Sequence, residues 1–186
     1  FLHHVQRATR RTLFPHQVEG AGWLAERLSQ SQGCLLADDQ GLGKTIQVLA
    51  ALLVSRSIPV IIVCPSSLKH NWAREMEHLS VPLRVSIVEG RSGPIEPAHV
   101  FILNYDLLRD REAQLMRLRA RAIVFDEAQE LKKPDANTRH RASVATRLAK
   151  VVGRRILLTG TPMPNRPHEL WRLLHITDPQ QWPDYP

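Results

Sequence analysis

The sequence is poor in the features that mark several classes of protein. Only 2 of its 186 residues are Cys and 9 are Gly, while 23% are charged and 43% are hydrophobic. These proportions exclude a disulfide-stapled scaffold, a collagenous chain and a chain disordered by low hydrophobicity. They fit one ordinary globular domain, which at this length buries roughly 70% of the surface that its unfolded chain would expose.

Long apolar runs are also missing. No run approaches the roughly 18 residues that would span a bilayer, and residues 1–7 lack the apolar region of a signal peptide. We therefore expect no membrane partner and an intracellular protein, in the cytoplasm or nucleoid of a bacterium or the nucleus of a eukaryote. Cys34 and Cys64 lie within apolar runs, which favours buried, reduced thiols. The absence of an initiator Met suggests that Phe1 begins a fragment.

Positive charge is the clearest excess. Lys and Arg number 25 against 18 Asp and Glu, a formal charge of +7, and residues 106–155 hold 13 basic against 7 acidic residues, or +6 of that surplus. This balance permits a polyanionic partner, but it describes non-specific association and not a site. Solvated helix faces are the alternative explanation.

Short apolar runs recur along the chain and are typical of strands buried on both faces of a parallel sheet. They lie at residues 34–37, 60–64, 85–88, 100–103, 122–125 and 156–158. Segments with helical spacing accompany them at residues 18–28, 44–54, 68–79 and 142–152. The alternation predicts an α/β fold, a mostly parallel sheet with helices on both faces, whose ligand site lies beyond the carboxyl ends of the strands.

The first predicted strand leads into a glycine-rich segment, Asp-Asp-Gln-Gly-Leu-Gly-Lys-Thr at 38–45. It resembles a phosphate-binding P-loop, although Asp38 stands where the general pattern has Gly. In such loops backbone N–H groups surround phosphate oxygens, the Lys reaches the β- and γ-phosphates and the Thr hydroxyl ligates Mg²⁺. The residues expected to bind the nucleotide are Asp39, Gly41, Leu42, Gly43, Lys44 and Thr45. A chance loop is the alternative.

Two more polar groups follow later strands. In Asp-Glu-Ala-Gln at 126–129, Asp126 would hold Mg²⁺ through water and Glu127 would orient and deprotonate an attacking water. A helix N-cap is the competing explanation for the acids, but their occurrence with a P-loop in one sheet favours catalysis. The other group is Thr159-Gly160-Thr161-Pro162.

Six motifs in fixed order make the pattern specific. They are Phe-Pro-His-Gln at 14–17, the loop at 38–45, Val-Cys-Pro-Ser-Ser-Leu-Lys-His-Asn-Trp at 63–72, Asn-Tyr-Asp-Leu-Leu at 104–108, the acids at 126–129, and Leu-Leu-Thr-Gly-Thr-Pro-Met-Pro-Asn at 157–165. Together they resemble the motifs of the superfamily-two helicases. The individual residues within them are most similar to those of the Swi/Snf family of double-stranded DNA translocases. Residues 165–170 look closer to the distal, annealing-helicase-like branch than to the nucleosome remodellers.

The resemblance implies a RecA-like P-loop lobe over residues 13–178, with a lead-in over 1–12 and the start of a linker at 179–186. It implies ATP and Mg²⁺ as cofactors, duplex DNA as a partner, and a C-terminal RecA-like lobe of the same parent chain. Since an arginine finger from that second lobe is worth about 10³–10⁵ in rate, the isolated lobe is expected to hydrolyse ATP slowly or not at all.

Residue roles also follow from the resemblance. Gln17 matches the residue that reads adenine, and Lys44 and Glu127 match the catalytic pair. The matches to segments that touch the DNA backbone are Ser66, Ser67, Lys69, Asn104 and Tyr105. The matches to residues that couple the γ-phosphate state to lobe movement are Gln129, Thr159, Gly160 and Thr161, with Gln129 standing where the family usually has His.

Two other functions stay open at this point. One is the lobe of an RNA helicase from a related superfamily-two family, and the other is an interaction module that has kept the fold and lost the motor. Three tryptophans, Trp23, Trp72 and Trp171, fall on predicted helices and are expected to pack against protein, not to stack on bases.

Overall fold

The structure, a computed structural model, describes residues 2–131, 136–162 and 167–183. Its helices are α1 (Leu2–Arg7), α2 (Pro15–Ser29), α3 (Lys44–Val54), α4 (Lys69–Glu75), α5 (Leu108–Arg117), α6 (Ala136–Val152) and α7 (Pro167–Thr177). Its strands are β1 (Cys34–Leu36), β2 (Val60–Cys64), β3 (Val85–Ile87), β4 (Val100–Asn104), β5 (Ala122–Phe125) and β6 (Arg154–Leu158). None of the helices described is long and apolar enough to cross a membrane.

The strands form one sheet in the order β1-β6-β5-β2-β4-β3, and every neighbouring pair is parallel. Val60 at the start of β2 pairs with Val100 on one side and Ala122 on the other. The predicted parallel sheet with helices on both faces is therefore confirmed. The sixth strand begins at Arg154, two residues before its apolar run, because Arg154 and Arg155 still pair with β5.

Alternate strand residues supply two separate cores. Side chains such as Ile62 and Val124 pack under α2, α3 and α4, whereas Ile61 and Phe125 pack with α5, α6 and α7. Such two-sided burial is what a parallel sheet with crossover helices requires. It explains why the strands read as continuous apolar runs.

Helix α1 packs against the domain although no pattern in the sequence predicts it. Val5 is fully buried and lies in a small cluster with Ala21 of α2 and Ala50 of α3. The predicted lead-in over 1–12 thus contributes to the packed body. A six-residue helix with one fully buried apolar residue gives too short a repeat to show helical periodicity.

Both cysteines are free and buried, as their apolar runs predict. Burial raises the pKa of each thiol to about 12. At that pKa the reactive thiolate form is scarce near neutral pH, so both residues act as small apolar side chains of the core.

Gly33 offers a sharp test of how α7 docks on the sheet. A Cβ added at Gly33 would lie 2.0 Å from the backbone oxygen of Thr177, at the end of α7. We expect Gly33→Ala to lower the free energy of unfolding by about 1–3 kcal/mol, because one of two packed backbone segments must shift. Urea unfolding followed by circular dichroism measures this.

Gly22→Ala is the matched control. Its added Cβ would meet only the end of the flexible Leu2 side chain, at 3.0 Å, and in the middle of α2 Ala is favoured over Gly by up to about 1 kcal/mol. Equal destabilisation by the two substitutions would show that the contact with Thr177 is not the cause.

Candidate active site

The strand order gathers the three polar groups at one edge of the sheet. Strand β6 lies between β1 and β5, so the loops after these three strands are neighbours at their carboxyl ends. The ladder continues into the loops, since Thr159 N donates to Leu36 O at 3.2 Å and Asp126 N donates to Val63 O at 2.8 Å. These bonds fix the first residue of two of the three loops.

The loop between β1 and α3 has the backbone of a phosphate cradle. Gly41 and Gly43 take φ values of 86° and 74°, in the left-handed region that favours glycine. Helix α3 begins at Lys44, so the unpaired N–H groups of its first turn face the loop. The Lys44 ammonium donates to the backbone oxygens of Asp38 at 2.7 Å and Asp39 at 3.0 Å, which folds this cation over the loop.

Gln47 of α3, which no sequence pattern indicated, hydrogen-bonds to this loop. Its Nε2 donates to Asp38 Oδ2 at 3.0 Å and to Leu42 O at 3.3 Å, and the residue is fully buried. Its Oε1 is buried and has no hydrogen-bond partner among the residues that the structure describes, and it would lie 2.0 Å from a Cβ at Gly20. Asp38 is thus compatible with a phosphate loop because a buried amide on α3 binds its carboxylate.

Gln17 lies directly against the same loop. Its Oε1 accepts from Phe14 N at 3.1 Å, and its Nε2 donates to Leu42 O at 3.3 Å. The Phe14 ring is 66% exposed and stacks on His16 at 5.9 Å between centroids. The amide predicted to read adenine and an exposed aromatic face therefore border the glycine-rich loop.

The acid pair follows β5 at the centre of this edge. Asp126 is only 8% exposed, and its carboxylate accepts from Trp72 Nε1 at 2.8 Å and from Glu127 N at 2.9 Å. Burial raises the pKa of Asp126, an effect that the hydrogen bond from Trp72 partly offsets. Glu127 has a φ of 50°, a strained value for a non-glycine residue of the kind found at functional sites.

A chain of hydrogen bonds connects Glu127 to the loop after β6. Gln129 Nε2 donates to Glu127 Oε2, Thr159 Oγ1 donates to Gln129 Oε1 at 2.7 Å, and Thr161 N donates to Thr159 Oγ1 at 3.1 Å. A single amide both donates and accepts here. Gln129 therefore makes a continuous connection at a position where the resembled family usually has His.

Gly160 brings the same loop close to the glycine-rich loop. A Cβ at Gly160 would lie 3.2 Å from Gln40 Cγ and 3.9 Å from Asp38 O. The four residues predicted to couple the nucleotide state to movement thus lie between the acid pair and the glycine-rich loop.

The residues predicted to touch a nucleic-acid backbone divide into two groups. Ser66 and Ser67 are exposed on a short 3-10 helix before α4, and Asn104 is partly exposed with its amide donating to Asp106. Lys69 and Tyr105 are buried instead. Both side chains turn inward here, and the contact of these two residues with a DNA backbone stays a prediction.

Lys69 is 8% exposed and its ammonium lies 3.9 Å from Glu89 Oε1. Tyr105 donates its hydroxyl to the backbone oxygen of Asp126 at 2.7 Å. Helical spacing could have indicated this for Lys69, which precedes the buried Trp72 by three positions. Nothing in the sequence shows the direction of Tyr105.

The tryptophans also divide. Trp72 is fully buried, and Trp171 donates to Pro183 O at 2.7 Å and packs edge-on against Trp182. Trp23 is 42% exposed with the Arg27 guanidinium 5.8 Å from its ring. Trp23 is therefore not in the core of this domain.

The donor set at this edge fits a magnesium–nucleotide complex. Among the described residues no group of three or more His, Cys, Asp or Glu side chains could hold a metal ion by itself. Mg²⁺ is usually held by one or two carboxylates together with phosphate oxygens and water, and Asp126, the Thr45 hydroxyl and the glycine-rich loop offer that combination.

Some of the predicted features lie outside the described residues. These are residues 163–165 of the sixth motif, residues 165 and 166 of the branch-specific segment, and residues 184–186 of the predicted linker. Residues 132–135, with two of the basic residues counted above, lie outside as well.

The six-stranded parallel sheet with helices on both faces is that of a RecA-like ATPase lobe. The SNF2-related domain family matches residues 16–186, and the chain belongs to this family. The SWI2/SNF2 ATPase core of Sulfolobus solfataricus, solved in complex with dsDNA, superposes with a TM-score of 0.77 at 30% identity, over 92% of this chain and 37% of that one.

Curated relatives agree with this assignment. The chain is 33% identical to the chromatin-remodeling ATPase INO80 of Debaryomyces hansenii, over 90% of this chain and 14% of that protein. It is 36% identical to a SWI/SNF-related regulator of chromatin, subfamily A-like protein 1 homolog, of Caenorhabditis elegans, over 89% of this chain and 24% of that protein. The chain thus spans a quarter or less of these relatives. Since these two relatives belong to different types of SWI/SNF-related protein, the branch suggested by residues 165–170 stays a prediction.

Gln47 supplies a test of the loop that does not touch the acid pair. Gln47→Leu keeps the size of the side chain but leaves the Asp38 carboxylate without its amide donor. We expect nucleotide affinity to fall by about tenfold, the cost of one buried hydrogen bond to a charged group. Titration of the full-length protein with a fluorescent ADP analogue measures it.

Gln32→Leu is the matched control, because Gln32 is exposed ahead of β1 and lies outside the glycine-rich loop. We expect its nucleotide affinity to stay within about twofold of wild type, as for surface substitutions away from special contacts. If Gln47→Leu also left the affinity unchanged, the buried amide would not be shaping the loop.

Proposed function

We propose that this chain is the first ATPase lobe of a SWI/SNF-type DNA translocase. In this proposal it binds ATP and Mg²⁺ at the carboxyl edge of the sheet, contacts the duplex DNA backbone, and couples ATP hydrolysis to movement on DNA. The observation that carries it is the continuous connection from Glu127 through Gln129 to Thr159 and Thr161. A phosphate-binding loop alone would not need such a link.

Each residue at the edge has a chemical task in this proposal. The glycine-rich loop and the first turn of α3 donate N–H groups to phosphate oxygens. Lys44 would exchange its carbonyl contacts for the β- and γ-phosphates, and Thr45 and Asp126 would hold Mg²⁺, which would neutralise charge on the phosphates. Gln17 reads the adenine edge, and Phe14 offers an apolar face beside it.

Glu127 acts as the base for the water that attacks the γ-phosphate. Its carboxylate is oriented by the Gln129 amide, so the position of Glu127 depends on Gln129 and, through Thr159, on the loop after β6. A change at Thr159 to Thr161 would alter the orientation of the base. We infer that this is how hydrolysis and movement between lobes are coupled.

Duplex DNA would be held by hydroxyls and backbone groups after β2 and β4. Ser66 and Ser67 are exposed and uncharged, which suits binding of phosphate without reading of sequence. The Sulfolobus ATPase core with the same fold was solved with dsDNA, which supports this partner. A second RecA-like lobe of the same parent protein would supply an arginine that speeds hydrolysis.

The full-length protein tests this proposal through Glu127→Gln and Lys44→Ala. We expect Glu127→Gln to reduce duplex-stimulated ATP hydrolysis by about 10²–10⁴-fold, the usual contribution of a general acid or base, and to retain nucleotide binding. We expect Lys44→Ala to reduce it by at least about 10²–10³-fold, because it removes a group that stabilises charge on the phosphates. Steady-state hydrolysis with duplex DNA, single-stranded DNA and RNA measures both the loss and the partner.

Lys150→Ala is the matched control, since Lys150 is exposed on α6, away from this edge; it should leave hydrolysis unchanged. If RNA stimulated hydrolysis much more strongly than DNA, the result would favour an RNA helicase over a DNA translocase. Unchanged DNA-dependent activity in Lys44→Ala would favour an interaction module without a motor.

A further inference from the structure

Both segments that are predicted to touch DNA donate a hydrogen bond to Asp126, a residue of the proposed ATP site. Trp72, on the helix that follows Ser66 and Ser67, donates to the carboxylate of Asp126 at 2.8 Å. Tyr105, next to Asn104, donates to the backbone oxygen of Asp126 at 2.7 Å. The geometry points to Trp72 and Tyr105 as positioning residues that transmit duplex binding to Asp126, an inference that rests on the proposed function.

The first connection is short and rigid. Residues 66–68 form a 3-10 helix that runs without a break into α4, where Trp72 lies on the second turn. The Trp72 ring is fully buried, and densely packed interiors transmit displacement because side chains have no room to absorb it. A phosphate bound at Ser66 or Ser67 would therefore move the indole N–H relative to Asp126.

The second connection is shorter still. Tyr105 directly follows Asn104 at the end of β4, and its side chain is 3% exposed. Its hydroxyl reaches across β2 to the turn after β5, because the sheet order places β2 between β4 and β5. The backbone of Asp126 is held by this bond and by its own N–H bond to Val63.

Asp126 thus accepts hydrogen bonds from donors in three different segments of the chain. Its side chain is bound by Trp72 and by Glu127 N, and its backbone by Tyr105. A buried carboxylate is sensitive to the loss of any donor, because hydrogen bonds to charged groups are stronger in a low-dielectric interior. Small shifts of the two DNA segments would change how Asp126 is presented to the nucleotide.

Two substitutions that keep an aromatic ring at each position test this. Tyr105→Phe deletes only the hydroxyl, whereas Trp72→Phe deletes the indole N–H together with one of the two fused rings. Trp23→Phe is the matched control, because Trp23 is on the exposed face of α2. The full-length protein is used throughout, with thermal unfolding to verify that each variant is folded.

The measurement is a thermodynamic coupling and not a rate. The affinity for a fluorescently labelled blunt duplex is measured with and without a non-hydrolysable ATP analogue and Mg²⁺, and the ratio of the two dissociation constants is the coupling factor. By linkage the duplex changes analogue affinity by the same factor, typically about 5 to 150. We expect this factor to fall to within about twofold of 1 in Trp72→Phe and Tyr105→Phe, and to stay at the wild-type value in Trp23→Phe.

The possible failures are distinguishable. If the wild-type protein does not bind duplex DNA, the proposed function itself fails. If the wild type binds duplex and hydrolyses ATP but both phenylalanine variants keep the wild-type coupling factor, only the inference about Trp72 and Tyr105 is overturned. Loss of affinity for both ligands with an unchanged factor also overturns it, since that is the result of a merely structural role.

Discussion

The buried carboxylate of Asp126 is the constraint on which the rest of the site depends. A carboxylate that is 8% exposed is costly unless donors surround it, and here the donors come from Trp72 and from the following backbone N–H. The turn that supplies this N–H places Glu127 at a positive φ, which directs its side chain toward Gln129. Satisfying one buried acid therefore fixes the position of the second acid and, through it, the connection to Thr159.

Sheet order determines which loops can take part. Because β6 lies between β1 and β5, Thr159 follows the strand that separates the glycine-rich loop from the acid pair, and it can contact elements on both sides. Gly160 lets this loop approach Gln40 and Asp38. The segments after β2 and β4 lie on the other side of β5, so their contact with the site passes through Asp126. In the proposed function, the edge thus has a nucleotide half and a nucleic-acid half that meet at that residue.

Much of this arrangement is predictable from the sequence, and the exceptions have physical causes. Continuous apolar runs identify strands buried on both faces, and the rule that ligands bind beyond their carboxyl ends places the three polar groups. Side-chain direction is different: Lys69 and Tyr105 match segments that bind DNA, yet tertiary packing turns both inward. Gln47 gave no signal because its role depends on Gly20 of another helix, which leaves room for the amide. A contact between two helices leaves no pattern in the sequence of either helix alone.

The hydrogen bonds of the arginines determine how much of the positive-charge surplus can bind a polyanion. Arg111 is 2% exposed and donates to four backbone oxygens of the loop at 89–93, while Arg147 binds Glu112 through two nitrogens. Arg121 and Arg154 donate to carbonyl oxygens at the end of α3. The salt dependence of DNA binding counts the phosphates that are neutralised, and an arginine committed to carbonyls or carboxylates adds to that count only by breaking those bonds. Net charge therefore overstates how much of residues 106–155 is available to a polyanion, and the uncharged Ser66 and Ser67 are better placed for backbone contact than the composition suggests.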